Sequence, residues 1–129
     1  MKKYFPTLLK VLAAAIMVQT LYFKFLGAEE SIDLFTKLAG ENESIMRIGT
    51  GVLELLAAIF LFVPSKTWFG AFLTVILMSG AIMSHLTILG IEHNNDGGIL
   101  FISAITTFLA GTILLIQNKK DIPYLALKQ

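Results

Sequence analysis

Few ionisable side chains of this 129-residue chain lie within its long apolar runs, and those few are the ones whose setting could do chemistry. Glu54 sits in the run 45–63, and His85 in the run 68–90. An ionisable group at such a depth has to face a partner or a cavity, because burying it unpaired in hydrocarbon is costly. Arg47 precedes Glu54 by seven residues, two helical turns, so the two share a face. Gln19 and Tyr22, three residues apart, share a face of the run 5–26. A carboxylate and an imidazole brought together can exchange protons with a ligand or hydrogen-bond its polar head. Glu54 and His85 are therefore the candidate catalytic groups. Gln19, Tyr22, Arg47, Glu54, His85 and Asp96 are the candidate ligand-binding set. The same residues can equally form a structural polar network that fixes helix register.

Depth supports grouping them. At the rise of an α-helix, Gln19 lies about 10 Å inside one end of its run, and Glu54 about 10 Å deeper than Arg47. His85 lies about 7 Å below the end of its run at Gly90. All fall in what the charge pattern marks as the outer half of the membrane.

The segment "GIEHNNDGG", residues 90–98, raises a metal reading through Glu92, His93 and Asp96. It lacks the regular ligand spacing of a zinc or calcium motif, and no metal is expected. It reads better as a turn. Asp96 caps the helix that follows, favoured by the free N–H groups and the dipole there, while Gly97 and Gly98 let the chain turn tightly. A helix N-terminus aimed at the polar groups could also receive a partly anionic ligand group.

The surrounding elements follow from composition. The chain is 56% hydrophobic and 15% charged, against about 25% charged for a soluble domain. The expected product is an all-α membrane protein, one transmembrane domain over residues 1–129. With a net charge of +1, nothing points to nucleic acid. The absence of cysteine removes disulfides, thiolate metal sites and thiol relays.

Four runs, 5–26, 45–63, 68–90 and 98–116, approach the ~20 residues a helix needs to cross a bilayer. In the first, Lys10 and Lys24 stand near the ends, where their side chains can snorkel to the interface. That run begins Met-Lys-Lys like a signal peptide. Lys10 interrupts its apolar core, however, and "LGA" (residues 26–28) is a poor cleavage site, so a retained helix is expected.

Basic residues gather at the N-terminus (Lys2, Lys3), in the turn "PSKT" (Lys66) and in the tail (Lys119, Lys120, Lys128). The positive-inside rule then puts both termini in the cytoplasm, in agreement with an even number of spans. The short connections 64–67 and 91–97 require adjacent antiparallel helices. Pro64 ends the second helix, and Ser65 or Thr67 can cap the third. In the longer first loop, "SIDLFTKLAG" spaces Ile32, Phe35 and Leu38 helically. It reads as a short amphipathic helix on the outer interface or lidding the bundle. Gly49, Gly51, Ser79, Gly80 and Ser84 are expected to let helices approach closely, and Met78 and Met83 to fill the core.

The stretches "RIGTGVLELLAAIFLFVP", "WFGAFLTVILMSGAIMSHLTILGIE" and "DGGILF", with "YFKFLGAEESIDLFTKL" after the first helix, resemble the DoxX and DoxX-like family of small four-helix membrane proteins. Arg47, Glu54, His85, Glu92, Asp96 and Gly97 fall on polar and glycine positions that recur in that family. The resemblance implies an antiparallel bundle of four transmembrane helices in the bacterial cytoplasmic (inner) membrane. The family takes its name from a subunit of a thiosulfate:quinone oxidoreductase, and other members are proposed parts of membrane redox complexes. Similar bundles of the vitamin K epoxide reductase and DsbB type work through cysteine pairs. This chain has none, so that chemistry does not carry over.

Two functions follow as expectations. The first is a quinone- or lipid-headgroup-binding subunit of a membrane oxidoreductase complex. A partner subunit would supply the electrons, because the chain holds no evident redox centre of its own. The second is a non-enzymatic protein that binds a lipid or small molecule, or that assists assembly of another membrane protein. A proton-coupled transporter is a third and weaker reading, for which a homo-oligomer would be needed.

Overall fold

The computed structural model describes residues 4–27, 29–90 and 98–122, and every regular element among them is helical. Helix α1 spans Phe5–Leu26, α2 Glu29–Ala39, α3 Glu43–Leu61, α4 Thr67–Ser84 and α5 Ile99–Gln117. Four of these, α1, α3, α4 and α5, lie in segments long and apolar enough to cross a membrane. Their ends fall within about two residues of the runs read from the sequence, apart from a change at the end of α4. There the helix widens into a π-turn over His85–Leu89, closed by Gly90 at φ 83°. Nothing in the sequence signals that π-turn.

The four spanning helices form a ring in which α1 packs on α3 and α5, and α4 packs on α3 and α5. Every neighbouring pair whose register can be followed runs antiparallel. Arg47 meets Lys24 and Gly27, Gly51 meets Leu21 and Phe25, and Glu54 meets Thr20 and Lys24, so numbers rise along α3 as they fall along α1. Across the axis, Thr74 Oγ1 lies 3.9 Å from Met17 Sδ.

Helix α2 is the expected amphipathic one. It buries Phe35, exposes Asp33 and Lys37, and packs on α3 and on the π-turn. It thus caps one end of the ring, called here the α2 end.

The core is built from small side chains around a few long ones: Ala13, Met17, Ala57, Leu61, Ala71 and Leu114 are almost wholly buried. Large apolar residues such as Leu8, Ile59, Ile76 and Leu109 are exposed around the ring, as a lipid-facing belt requires. Of the expected glycines Gly51 makes a tight contact, and two that were not expected, Gly70 and Gly111, join it. A Cβ on Gly70 would lie 2.6 Å from the Leu61 nitrogen and 2.7 Å from the Ala57 carbonyl oxygen, so α3 and α4 touch backbone to backbone there. Gly51 faces Phe25 and Gly111 faces Thr74, whereas Gly49 and Gly80 point into open space. Met78 fills the core, but Met83 is exposed.

The turn between α3 and α4 also differs from expectation. Ser65 adopts a positive φ, and the residue at the N-cap is Lys66, without a side-chain cap. The Thr67 hydroxyl donates instead to the Leu61 carbonyl at 3.0 Å. It satisfies an acceptor left over at the end of α3, and so ties the two helices together.

Candidate functional site

Glu54 is buried on the inner face of α3, with Gly51, Ala57, Ala58 and Leu61 above and below it. Its partner comes from α1. Lys24 places its ammonium 3.2 Å from Glu54 Oε1 and 3.5 Å from Oε2, and donates to Thr20 Oγ1 at 2.9 Å. Thr20 lies 3.4 Å from Oε2 and also donates to the Met17 carbonyl at 2.8 Å. The side chains of both ions are nearly enclosed, 12% exposed for Lys24 and 6% for Glu54.

This overturns the expectation that Lys24 snorkels outward. Thr20 stands one turn closer to the middle of α1, and the lysine reaches past it into the bundle to the carboxylate on α3. The face was set by spacing. Lys24 follows Met17 by seven residues and so falls on the same buried stripe as Leu9, Ala13, Met17 and Leu21.

Arg47 does not pair with Glu54. Its Nε donates to Glu43 Oε2, one turn earlier, at 3.0 Å, and its Nη1 donates to the main-chain carbonyl of Lys24. Arg47 thus holds a carbonyl in the last turn of α1 that the helix itself leaves unsatisfied. It also packs beside Gly27, which turns the chain toward α2 at φ 69°. From Glu54 to Glu43, two anions and two cations run toward the α2 end through direct bonds.

His85 is buried but stands apart from Glu54. Its Nδ1 lies 2.9 Å from the Gly90 carbonyl oxygen, and its ring meets Phe101 edge to face at a centroid distance of 5.7 Å. Gly70 marks the level where α4 faces Ala57 and Leu61. Counted from there toward the α2 end, His85 is fifteen residues along α4, whereas Glu54 is only about five along α3. The two are offset by about 15 Å along the bundle. Glu54 thus lies deeper in the bundle than Arg47, as the seven-residue step implies, and well away from the level of His85, so a single small headgroup does not touch both Glu54 and His85.

Gln19 and Tyr22 are exposed on the far side of α1 from Met17. The structure does not bring them to the Lys24–Glu54 pair. Asp96 and its expected cap lie outside the described residues, as do Glu92, His93 and Gly97. At the start of α5 the N-cap residue is Gly98, at φ 82°. Among the described residues, no three His, Asp or Glu side chains are close enough together to hold a metal ion.

Two residues of the site, Lys24 and Thr20, were not singled out from the sequence. The seven-residue step from Met17 to Lys24 was legible, but a helix with apolar residues on every face does not reveal which face turns inward.

A helical ring that spans the membrane, holding a charged pair between its first two spanning helices, defines a class of small integral membrane protein. Residues 8–109 match the model of the DoxX-like family, and the chain belongs to that family. No curated protein and no solved structure matched the chain.

Proposed function

We propose that the chain binds the polar head of a membrane-dissolved amphiphile, a quinone or a lipid, at the Lys24–Glu54 pair. The observation that carries this reading is the pair itself. Ionisable groups held between spanning helices are costly to bury even when paired, and such groups mark register or a ligand site. Lys24 and Thr20 offer donors to a carbonyl or phosphate oxygen, and Glu54 accepts from a hydroxyl or an ammonium. Arg47 orients the site by fixing the end of α1. As in the redox complexes for which the family is named, the chain would act as a subunit beside a partner that carries the electrons. It would reside in the bacterial cytoplasmic membrane with both termini inside, which puts the α2 end outside.

A second reading drops the redox complex and keeps the binding: a carrier or assembly protein without catalysis. The offset of about 15 Å between Glu54 and His85 favours it, because the two cannot share the protons of one quinone ring. Mass spectrometry of the protein after gentle extraction tests both readings. Both expect a stoichiometric amphiphile on the native chain, and its loss from a Lys24→Met, Glu54→Gln double variant. A quinone there supports the subunit, and a lipid supports the carrier. Equal retention by both chains would remove the pair from the binding site.

A further inference from the structure

The geometry points to a zwitterionic head, one primary ammonium with one phosphate or carboxylate, as the group this site takes. Its ammonium would replace Lys24 on Glu54, and its anion would take Lys24 and Arg47. This rests on the reading of the Lys24–Glu54 pair as a ligand site.

Charge balance carries the first part of the argument. Counted as ions, Glu54, Lys24, Arg47 and Glu43 sum to zero, and each is bonded to another member or to the main chain of one. A ligand with net charge would leave an uncompensated charge among spanning helices, where a charge is poorly screened. An uncharged head that wedged the pair apart would leave two. A zwitterion separates the pair and restores both partners at once.

The bond lengths carry the second part. Every contact Glu54 makes among the described residues is long: 3.2 and 3.5 Å to Lys24 and 3.4 Å to Thr20. Charge-assisted bonds between an ammonium and a carboxylate settle at about 2.7–2.9 Å. The shortest bond of the Lys24 ammonium, 2.9 Å, goes to the neutral Thr20 hydroxyl. The carboxylate thus retains capacity for a compact ammonium that fits closer than the arched lysine does.

The third part is mechanical. Arg47 holds the Lys24 carbonyl while the Lys24 amine sits at the tip of a four-carbon stem. The amine can swing toward the α2 end with an incoming anion, and the α1 backbone stays in place. Arg47 uses two of its five N–H donors on Glu43 and on the Lys24 carbonyl, and it flanks the path of that swing. The polar partners of Glu54, Lys24 and Thr20, are hydrogen-bonding groups, and a head that replaces the lysine there is favoured when it brings N–H donors, which a quaternary ammonium lacks.

The test uses the full chain, delipidated in detergent, with native mass spectrometry and thermal shift as readouts. Phosphatidylethanolamine is compared with phosphatidylglycerol, phosphatidylcholine and a ubiquinone analogue. The expected result is at least about tenfold tighter retention of phosphatidylethanolamine than of either other phospholipid, lost in the Lys24→Met, Glu54→Gln double variant. That variant removes both charges together and so leaves none unpaired to disturb folding. Displacement by soluble phosphoethanolamine would assign the site to a free zwitterion, and resistance to it would assign the site to the lipid. Equal binding of phosphatidylglycerol or phosphatidylcholine, or phosphatidylethanolamine binding that survives the double variant, would overturn the inference. Quinone binding that depends on Lys24 and Glu54, without phosphatidylethanolamine binding, would sink the zwitterion while sparing the site. No ligand dependent on these two residues would sink both.

Discussion

The Lys24 ammonium lies 3.2 Å from the Glu54 carboxylate, yet Lys24 stands only two residues from the end of α1. A lysine so placed ordinarily points toward the interface. Here it points the other way, because its face of the helix is the buried one and Glu54 waits one turn further in. The pair joins the first two spanning helices near the level where Gly51 lets Phe25 approach α3. It is thus a joint of the fold as well as a candidate site.

Removing one partner should therefore cost more than removing both. Glu54→Gln or Lys24→Met alone strands a charge among apolar helices, and each is expected to lower stability by about 3 kcal/mol. The double variant should lie well above the sum of the two. Thermal or denaturant unfolding in detergent, arranged as a double-mutant cycle, measures the coupling. Additive losses would mean that the two charges do not sense one another.

Arg47 is expected to resist a conservative change. It bonds Glu43 and the Lys24 carbonyl together through a forked guanidinium, and a lysine ammonium on its flexible stem cannot hold both in that geometry. Arg47→Lys should lose about 1–2 kcal/mol of stability, and amide exchange should rise from Lys24 to Gly27. Unchanged exchange there would show that the end of α1 is held by something else.

Much of this was legible in the sequence, for reasons that explain what was not. The runs that became α1, α3, α4 and α5 were set by length and apolarity, and α2 by the spacing of Ile32, Phe35 and Leu38. Arg47 and Glu54 were placed on one face by their seven-residue step, and both are buried there. Which face of α1 turns inward was not legible, because lipid and core are equally apolar and leave no contrast to read. Lys24 therefore passed for an interfacial anchor, and Gln19 and Tyr22 for site residues. The offset of His85 from Glu54 depends on where α3 and α4 touch, which Gly70 fixes and no pattern announces.

His85 should be a fixed tautomer. The Gly90 carbonyl can only accept, so Nδ1 carries the proton and, in the neutral ring, Nε2 is left as the acceptor. Nitrogen-15 spectra of the labelled imidazole should report that form. His85→Asn keeps a donor at the position of Nδ1 and should preserve the π-turn. His85→Leu should raise amide exchange across residues 86–90 and lose about 1 kcal/mol. A spectrum showing Nδ1 unprotonated would refute the assignment.

The glycines offer a graded test of the packing. Gly70→Ala puts a methyl against the backbone of α3, which cannot yield as a side chain can, and forces α3 and α4 apart. A loss of about 3 kcal/mol or failure to fold is expected, near the upper end of overpacking costs. Gly111→Ala meets only side chains, Thr74 at 3.0 Å and Val75 at 3.4 Å, and should cost less. Gly80→Ala meets nothing within 4 Å and should be neutral or stabilising by a few tenths of a kcal/mol, since alanine is the better helix former. Melting temperatures of the three variants should follow that order. A Gly80→Ala protein as damaged as Gly70→Ala would mean that the exposed face of α4 is covered by another helix in the membrane, and its oligomeric state would then have to change with the substitution.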